Sequence, residues 1–193
     1  MNNPNVQKKP FILNCDQLIW DNIAVRKYNI ALIPESCSDL VINCANNFKH
    51  ISDRYLLGEN SFPHVTLYRF SSDASEIEHI IQKINNSNIP KTINLQFNEF
   101  SYASFHRSVY WTSLMPDKVD ELNHMHYLTS KILGKPVKEN FDPHMTLMNT
   151  KHAQYESLAA DVKQRYNSIR DKFILTIGES DDIGQVTKII CKF

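Results

Sequence analysis

The chain lacks an excess of charge of either sign. Its 193 residues contain 21 Lys and Arg and 21 Asp and Glu, so the formal net charge is zero. A protein that holds long nucleic acid through its phosphates usually carries a basic excess. The balance therefore argues against that class of protein. It favours a small ligand, a short oligonucleotide or a chain end, with any positive charge confined to one place.

Cysteine is scarce and follows no metal-binding pattern. The four cysteines, Cys15, Cys37, Cys44 and Cys191, form no C-x-x-C pair. None of them has a zinc-type spacing to histidine. We therefore expect free thiols in a reducing compartment, with neither a metal nor another cofactor.

Long apolar runs are missing as well. The first residues, MNNPNVQKKPFILNCDQ, contain no stretch that would serve as a signal peptide, and no later window is long enough for a membrane span. We expect a cytoplasmic, monomeric protein without a membrane partner. A hydrophobic content of 42% in 193 residues suits one globular domain.

The chain does contain one short pattern twice, eighty positions apart. Residues 63–67 read Pro-His-Val-Thr-Leu, and residues 143–147 read Pro-His-Met-Thr-Leu. The patterns around them repeat in the same order: a strand (28–34 and 109–116), a helix (35–50 and 117–133), the Pro-His strand, a second helix (from Ser72-Asp73 and 154–169) and a last strand (93–97 and 173–177). This order predicts a duplicated β-α-β-α-β unit.

Two such units predict an α+β fold with mainly antiparallel sheets and helices packed on one side. We place two lobes, approximately residues 28–105 and 106–193, in a single domain. Residues 185–192 predict a final strand that forms a hairpin with the preceding one. Residues 1–27 have no counterpart in the second half and are an extension of unknown role.

The repeated pattern places chemistry on one side of each strand. Residues i and i+2 of a strand share a face, so His64 projects with Thr66, and His144 with Thr146. Imidazole titrates near neutrality, so one ring can act as base while the other acts as acid. Such a pair suits in-line attack at phosphorus without a metal, with the threonines donating hydrogen bonds to the non-bridging oxygens. The sequence leaves open which histidine has which role.

The paired H-V-T-L and H-M-T-L motifs in a duplicated α+β chain resemble the 2H phosphoesterase superfamily over residues 28–193. Its members include RNA 2',5'-ligase-like proteins, RNA 2',3'-cyclic phosphodiesterases and 2',5'-phosphodiesterases. The resemblance implies a bilobal fold with both motifs lining a central cleft. It also implies metal-independent chemistry on phosphodiesters next to a ribose 2'-oxygen. The catalytic residues would be His64, Thr66, His144 and Thr146.

Two further residues follow from this resemblance. Family members often carry a basic residue just before the strand that opens the second half, which is Arg107 here, and we expect it to approach the phosphate. Ligase-like members often have a glycine after the first motif, where this chain has Tyr68-Arg69-Phe70. That departure weakens assignment to the ligase-like branch. We expect Tyr68 to share the face of His64 and Thr66 and to stack on a base.

The leading hypothesis is a metal-independent phosphodiesterase that acts on 2',5'-linked substrates such as 2',5'-oligoadenylate or on 2',3'-cyclic ribonucleotides. The alternatives are a catalytically silent module that binds RNA ends or nucleotides, an RNA 2',5'-ligase-type activity, and a partner-binding protein that uses the N-terminal segment. His124 and His126 are not expected to form a metal site, because residues two apart on a helix point in different directions.

Overall fold

The computed structural model describes residues 25–58, 60–105, 109–152, 155–165 and 167–193. We number its elements along the chain. The strands are β1 Arg26–Pro34, β2 Tyr55–Leu56, β3 Val65–Ser72, β4 Thr92–Phe105, β5 Val109–Pro116, β6 Met145–Thr150, β7 Ile169–Ser180 and β8 Val186–Lys192. The helices are α1 Ser38–Asn46, α2 Ala74–Asn85, α3 Val119–Leu133 and α4 Tyr155–Arg165.

The helix ends follow from local chemistry. The carboxylate of Asp73 accepts hydrogen bonds from the backbone N–H groups of Ser75 and Glu76, which caps the start of α2. Helix α3 ends at Gly134, whose left-handed conformation (φ 62°) favours glycine. The helix start that the sequence predicts at Ser72-Asp73 is confirmed, with Asp73 as the capping residue.

The eight strands form one antiparallel sheet in the order β2-β6-β5-β4-β7-β1-β3, with β8 paired to β7. Apart from β2 and β8, exchanging the two repeats gives the same order read from the other end. Strands β1 and β3 pair within the first repeat, and β5 and β6 pair within the second. The last strand of each repeat, β4 or β7, pairs with the first strand of the other repeat, and β4 and β7 pair with each other.

The repeats are therefore interleaved. Helix α3 of the second repeat packs on β3 of the first, and α1 of the first repeat packs on β6 of the second. The boundary near residue 105 separates the two repeats in the sequence. It does not separate the two halves of the sheet, because each half contains strands from both repeats. The extent of the domain, and the role of residues 1–27, stay predictions.

The main core lies between the helices and one face of the sheet. Strand residues Ile30 and Leu32 of β1 join helix residues such as Val41, Ile84 and Leu122 in one buried cluster. None of the described helices is both long and apolar enough to span a membrane.

The predicted α+β fold, with an antiparallel sheet and helices on one side, is confirmed. Three details were wrong. Leu40, which the helical spacing of the apolar residues in 35–50 groups with Val41, is 62% exposed because the helix directs Val41 and Ala45 inward instead. Helix α4 ends at Arg165 and Ile169 already belongs to β7. Strands β4 and β7 extend well beyond residues 93–97 and 173–177, because each has strand partners on two sides.

Candidate active site

Strand β3 contains a β-bulge directly after Thr66. Thr66 pairs with Ala31 and Tyr68 pairs with Ile30, so Leu67 is an extra residue in the ladder. Opposite residues of an antiparallel pair share a face, and Ile30 belongs to the main core beneath the helices. Ala31 and Thr66 therefore lie on the other face, away from the helices, which we call the site face.

Strand β6 repeats this feature. Thr146 pairs with Ser113 and Met148 pairs with Thr112, which makes Leu147 the extra residue. Met148 is fully buried in the main core. Thr146 and Ser113 therefore lie on the site face, so the duplicated motif keeps both its sequence and its bulge. Bulges of this kind are common beside active sites, where they redirect a side chain.

The imidazole of His64 is almost fully buried, with 6% of the residue exposed. Its Nδ1 lies 2.8 Å from the backbone oxygen of Phe62. A carbonyl oxygen only accepts hydrogen bonds, so Nδ1 carries the proton and donates it. In the neutral ring Nε2 is then the free base.

His144 is held in the same way but is more open to solvent. Its Nδ1 lies 2.8 Å from the backbone oxygen of Asp142, again two residues earlier in the chain. The carboxylate of Asp142 lies 3.7 Å from the same nitrogen, and 42% of the His144 side chain is exposed. The two rings therefore have matched backbone partners and different surroundings.

The rings are close enough to interact electrostatically. Burial lowers the pKa of His64 from its ordinary value, and a positive charge on His144 lowers it further. The backbone oxygens of Phe62 and Gly184 and the carboxylate of Asp181 oppose this, but the net direction is downward. His64 is therefore biased toward the neutral form, and the interleaved sheet brings the two histidines near enough for the charge of one to act on the other.

The hydroxyl groups of Thr66 and Thr146 are available as hydrogen-bond donors. Thr66 is half-buried and Thr146 is 8% exposed, both on the site face. Within the described part of the chain, neither hydroxyl has a hydrogen-bond partner. The four residues predicted as catalytic thus share one face of the sheet, while their catalytic role stays a prediction.

A hairpin turn between β7 and β8 covers His64. In this turn, residues 181–185, the carboxylate of Asp181 accepts hydrogen bonds from the N–H groups of Ile183, Gly184 and Gln185 at 2.7–3.1 Å. Asn29 donates from its side chain to the Gly184 oxygen at 2.6 Å. The turn therefore has a fixed shape and presents the Gly184 carbonyl to His64.

Arg69 supports the turn from the site face. Its guanidinium donates to the backbone oxygens of Ile183 and Asp182 at 3.2 and 3.3 Å. A Cβ added to Gly184 would lie only 2.3 Å from the Arg69 Cζ, so a side chain at this position would require the Arg69 guanidinium to move. The 181–185 turn was predicted as a hairpin, but nothing in the sequence pattern placed it beside His64.

Tyr55 links the two motif strands. It pairs with Asn149 of β6, and its hydroxyl lies 2.9 Å from the Oγ of Ser61, three residues before His64. Burial raises the pKa of Tyr55, and the nearby carboxylate of Asp181 adds to that rise. Tyr55 was not identified from the sequence, because its place depends on how β2 pairs with β6.

The predicted placement of Tyr68 beside His64 and Thr66 is wrong. The bulge at Leu67 turns Tyr68 to the opposite face, where it is 6% exposed. Its ring stacks on His126, and its hydroxyl donates to the backbone oxygen of Pro136 at 2.9 Å. This packing gives no support to the predicted contact between Tyr68 and a base.

The other residues considered in the sequence analysis add no side chain to the described site. Arg107 lies outside the described residues, so its predicted approach to the phosphate stays a prediction. His126 is a structural residue, because its Nδ1 donates to the Leu67 oxygen and its Nε2 accepts from the Lys138 N–H. A groove of about 600 Å³ between β4 and α3 includes His124 but neither motif histidine.

Comparison with known proteins identifies the fold. No protein-family model and no curated protein matches the sequence. Among solved structures, E. coli LigT complexed with phosphate is similar, with a TM-score of 0.55 and 12% identity over 88% of this chain and 96% of LigT. LigT complexed with 3'-AMP gives a TM-score of 0.54 and 14% identity over 88% of this chain and 98% of LigT. A further crystal structure of a phosphoesterase gives 0.53 and 13% identity over 88% and 98%. The resemblance to the 2H phosphoesterases, of which LigT is one, is confirmed at the level of the fold.

Proposed function

We propose that this chain, which has the fold of the 2H phosphoesterases, is a metal-independent phosphodiesterase that cleaves 2',5'-linked or 2',3'-cyclic ribonucleotide phosphodiesters. One observation carries the proposal. Two imidazoles, each held through Nδ1 by the backbone oxygen two residues earlier, are near enough for the charge of His144 to lower the pKa of His64.

The different surroundings of the rings support a division of roles between them. His64 is buried and biased toward the neutral form, in which a proton on Nδ1 leaves Nε2 as the basic nitrogen. His144 is more exposed, and its protonated form makes an ion pair with Asp142. His64 is therefore the general base and His144 the general acid in the direction of cleavage.

The proton transfers balance without another reactant. For a cyclic substrate, Nε2 of His64 takes a proton from the attacking water as its oxygen bonds to phosphorus. His144 gives a proton to the ribose oxygen that leaves as its bond to phosphorus breaks. Thr66 and Thr146 donate hydrogen bonds to the non-bridging oxygens, where charge accumulates in the transition state. Exchange with solvent then restores both rings.

A ribonucleotide substrate is supported by two lines of reasoning. The His-x-Thr pairs resemble those of proteins that act next to a ribose 2'-oxygen. E. coli LigT, which shares the fold, has been crystallised with 3'-AMP. The preference for cleavage over ligation follows from the abundance of water as the attacking group.

The test is turnover of 2',3'-cyclic nucleotides and 2',5'-oligoadenylate by the full chain in the presence of EDTA. We expect activity to persist with the chelator. His64→Ala and His144→Ala should each lower kcat by roughly 10²–10⁴, the usual contribution of one proton-transfer group. Thermal denaturation shows whether each variant is folded, and binding of 3'-AMP should be retained.

Two results would contradict the proposal. Activity that disappears with EDTA would indicate a metal-dependent reaction. Binding of nucleotides by the parent chain, without turnover of any phosphodiester in the panel, would favour a silent binding module on the same fold.

A further inference from the structure

In each motif, the backbone oxygen of the extra residue in the bulge accepts a hydrogen bond from the other repeat. In the second motif, the N–H of Leu57 in the first repeat donates to the Leu147 oxygen at 2.9 Å. In the first motif, Nδ1 of His126 on α3 donates to the Leu67 oxygen at 2.7 Å. Backbone next to β2 therefore holds one bulge, and a histidine side chain holds its counterpart.

His126 also holds the segment that joins α3 to β6. Its Nε2 accepts a hydrogen bond from the Lys138 N–H at 3.1 Å, and the ring of Phe141 stacks on its imidazole with the centroids 4.3 Å apart. The next residue, Asp142, supplies the backbone oxygen that holds Nδ1 of His144. His126 thus connects the bulge of the first motif with the backbone that holds the second histidine.

Most of this segment is open to solvent, so a small number of contacts fixes its position. Residues 134–140 are all exposed. Tyr68, which follows the first bulge, donates from its hydroxyl to the Pro136 oxygen at 2.9 Å, and the Lys138 Nζ lies 5.2 Å from the centre of its ring. The segment is thus fastened to β3 through Tyr68 and His126.

Through the sheet, the two motif strands are far apart. Strands β3 and β6 are separated in the strand order by β5, β4, β7 and β1. Helix α3 packs on β3, and the segment after α3 leads directly to β6. The hydrogen bonds of His126 therefore connect the two motifs by a path that does not pass through the strands between them.

The two hydrogen bonds of His126 require one form of its ring. A carbonyl oxygen only accepts and an amide N–H only donates, so Nδ1 carries a proton and Nε2 does not. The residue is 2% exposed, and both ring nitrogens are bonded to backbone. His126 is therefore not placed to transfer a proton to a ligand, and any effect on the reaction must act through the residues that it holds.

We propose that His126 is a positioning residue for the phosphodiesterase reaction, which fixes the first motif relative to the backbone that holds His144. This rests on the proposed function, since the relative position of His64 and His144 matters for turnover only if both act on one phosphate. Without the link, the second histidine is free to move away from the first. Misplacement of a catalytic group by about 1 Å can cost 10²-fold in rate, so the loss should be seen in kcat.

The test is a set of substitutions at His126, assayed with a 2',3'-cyclic nucleotide. His126→Phe keeps an aromatic ring for stacking and removes both hydrogen bonds, and we expect kcat to fall by roughly 10- to 100-fold. The shorter amide of His126→Asn reaches the place of Nδ1 and the longer amide of His126→Gln that of Nε2, so neither connects Leu67 with Lys138. Both should therefore lose activity as His126→Phe does. Parent-like kcat in His126→Phe would overturn the proposal.

Leu122→Val is the matched control. Leu122 is fully buried on the same helix, one turn before His126, and takes part in neither hydrogen bond. The smaller side chain lowers stability through lost packing, so we expect a lower Tm in thermal denaturation. Well below that temperature, kcat should stay at the parent level. An equal loss of kcat in Leu122→Val and His126→Phe, measured well below both Tm values, would show that His126 has no positioning role.

Titration of the His64 imidazole, followed by NMR in the full chain, separates this proposal from the proposed function because it needs no substrate. Burial and the charge of His144 lower the pKa of His64, while Asp181 on the 181–185 turn raises it. If His126 keeps the two rings close, His126→Phe should raise the pKa of His64, and Leu122→Val should leave it unchanged.

The outcomes of this titration are distinct. A raised pKa of His64 in His126→Phe, in a chain that cleaves no phosphodiester, would support the link and contradict the phosphodiesterase. The same pKa in the parent and in His126→Phe would contradict the link, and turnover by the parent would then leave the phosphodiesterase intact.

Discussion

Replacing Gly184 by alanine perturbs the turn that covers His64 without touching a motif residue. Gly184 has a φ of 98°, in the left-handed region that side chains disfavour. A Cβ there would lie 2.3–2.6 Å from three guanidinium atoms of Arg69. Arg69 must then move, which breaks its hydrogen bonds to Asp182 and Ile183.

The expected cost has two parts. The left-handed backbone costs about 1–2 kcal/mol for a residue with a Cβ. Losing the two hydrogen bonds of an exposed arginine adds about 1 kcal/mol or somewhat more. The free energy of unfolding should therefore fall by about 2–4 kcal/mol. The Gly184 oxygen also shifts relative to His64, and misplacement of a catalytic group by about 1 Å can cost 10²-fold, so we expect kcat/KM to fall by roughly 10- to 100-fold.

Gly134→Ala is the matched control. Gly134 also has a positive φ, of 62°, but a Cβ there would meet nothing within 4 Å. It should cost about 1–2 kcal/mol through backbone strain alone and leave kcat/KM unchanged. Chemical denaturation gives both stabilities, and hydrolysis of a 2',3'-cyclic nucleotide well below each Tm gives both activities. An equal loss of activity in the two variants, or none in Gly184→Ala, would refute the role of the turn at His64.

Three more predictions follow from the structure. The acid limb of the kcat/KM profile should lie below pH 6.5, the ordinary value for histidine, because burial lowers the pKa of His64; a limb at or above pH 6.5 would contradict its role as base. Asp142→Asn should lower kcat, because protonated His144 loses the carboxylate that lies 3.7 Å from its Nδ1, and an unchanged kcat would argue against that pair. Asp171→Ala should lower the free energy of unfolding at pH 7 by about 1–3 kcal/mol, measured in urea.

The Asp171 prediction has a definite pH dependence. Burial raises the pKa of this carboxyl, but hydrogen bonds from Ser36 and Cys37 at the start of α1 outweigh it, and the net pKa lies below 3.8. A carboxyl with a lowered pKa in the folded state stabilises the protein above its unfolded pKa and loses that effect as pH falls. The difference between parent and variant should therefore shrink below about pH 4. A difference that is constant down to pH 2 would contradict the assigned hydrogen bonds.

The sequence predicted the motif strands because their signals are local. Alternation places Val65 and Leu67 in the core, and the proline before each histidine marks a strand start. The same alternation failed at Tyr68, because an extra residue in a ladder follows from pairing with β1, which a single strand does not reveal. To predict which face of the sheet a residue beyond a bulge occupies, the pairing with the neighbouring strand must be known.

The exchange of strands between repeats was equally hidden. The alternating residues of INLQF (93–97) and FILTI (173–177) predict strands but not their partners. They do not indicate that β4 pairs with β5 of the other repeat or that β7 pairs with β1. The duplication in the sequence predicts two similar repeats. It does not predict which strands of one repeat pair with strands of the other. Asp181 and Gly184, which act on His64, and Asn29, which donates to the Gly184 oxygen, come together through this arrangement.

Whether the two histidines act on one phosphorus is tested most directly by a mutant cycle on turnover of a 2',3'-cyclic nucleotide with EDTA present. If they do, His64→Gln, His144→Gln and the double variant should all fall to nearly the same low rate, because removing one member of a catalytic unit disables the other. Losses that multiply in the double variant, or full activity in either single variant, would contradict it.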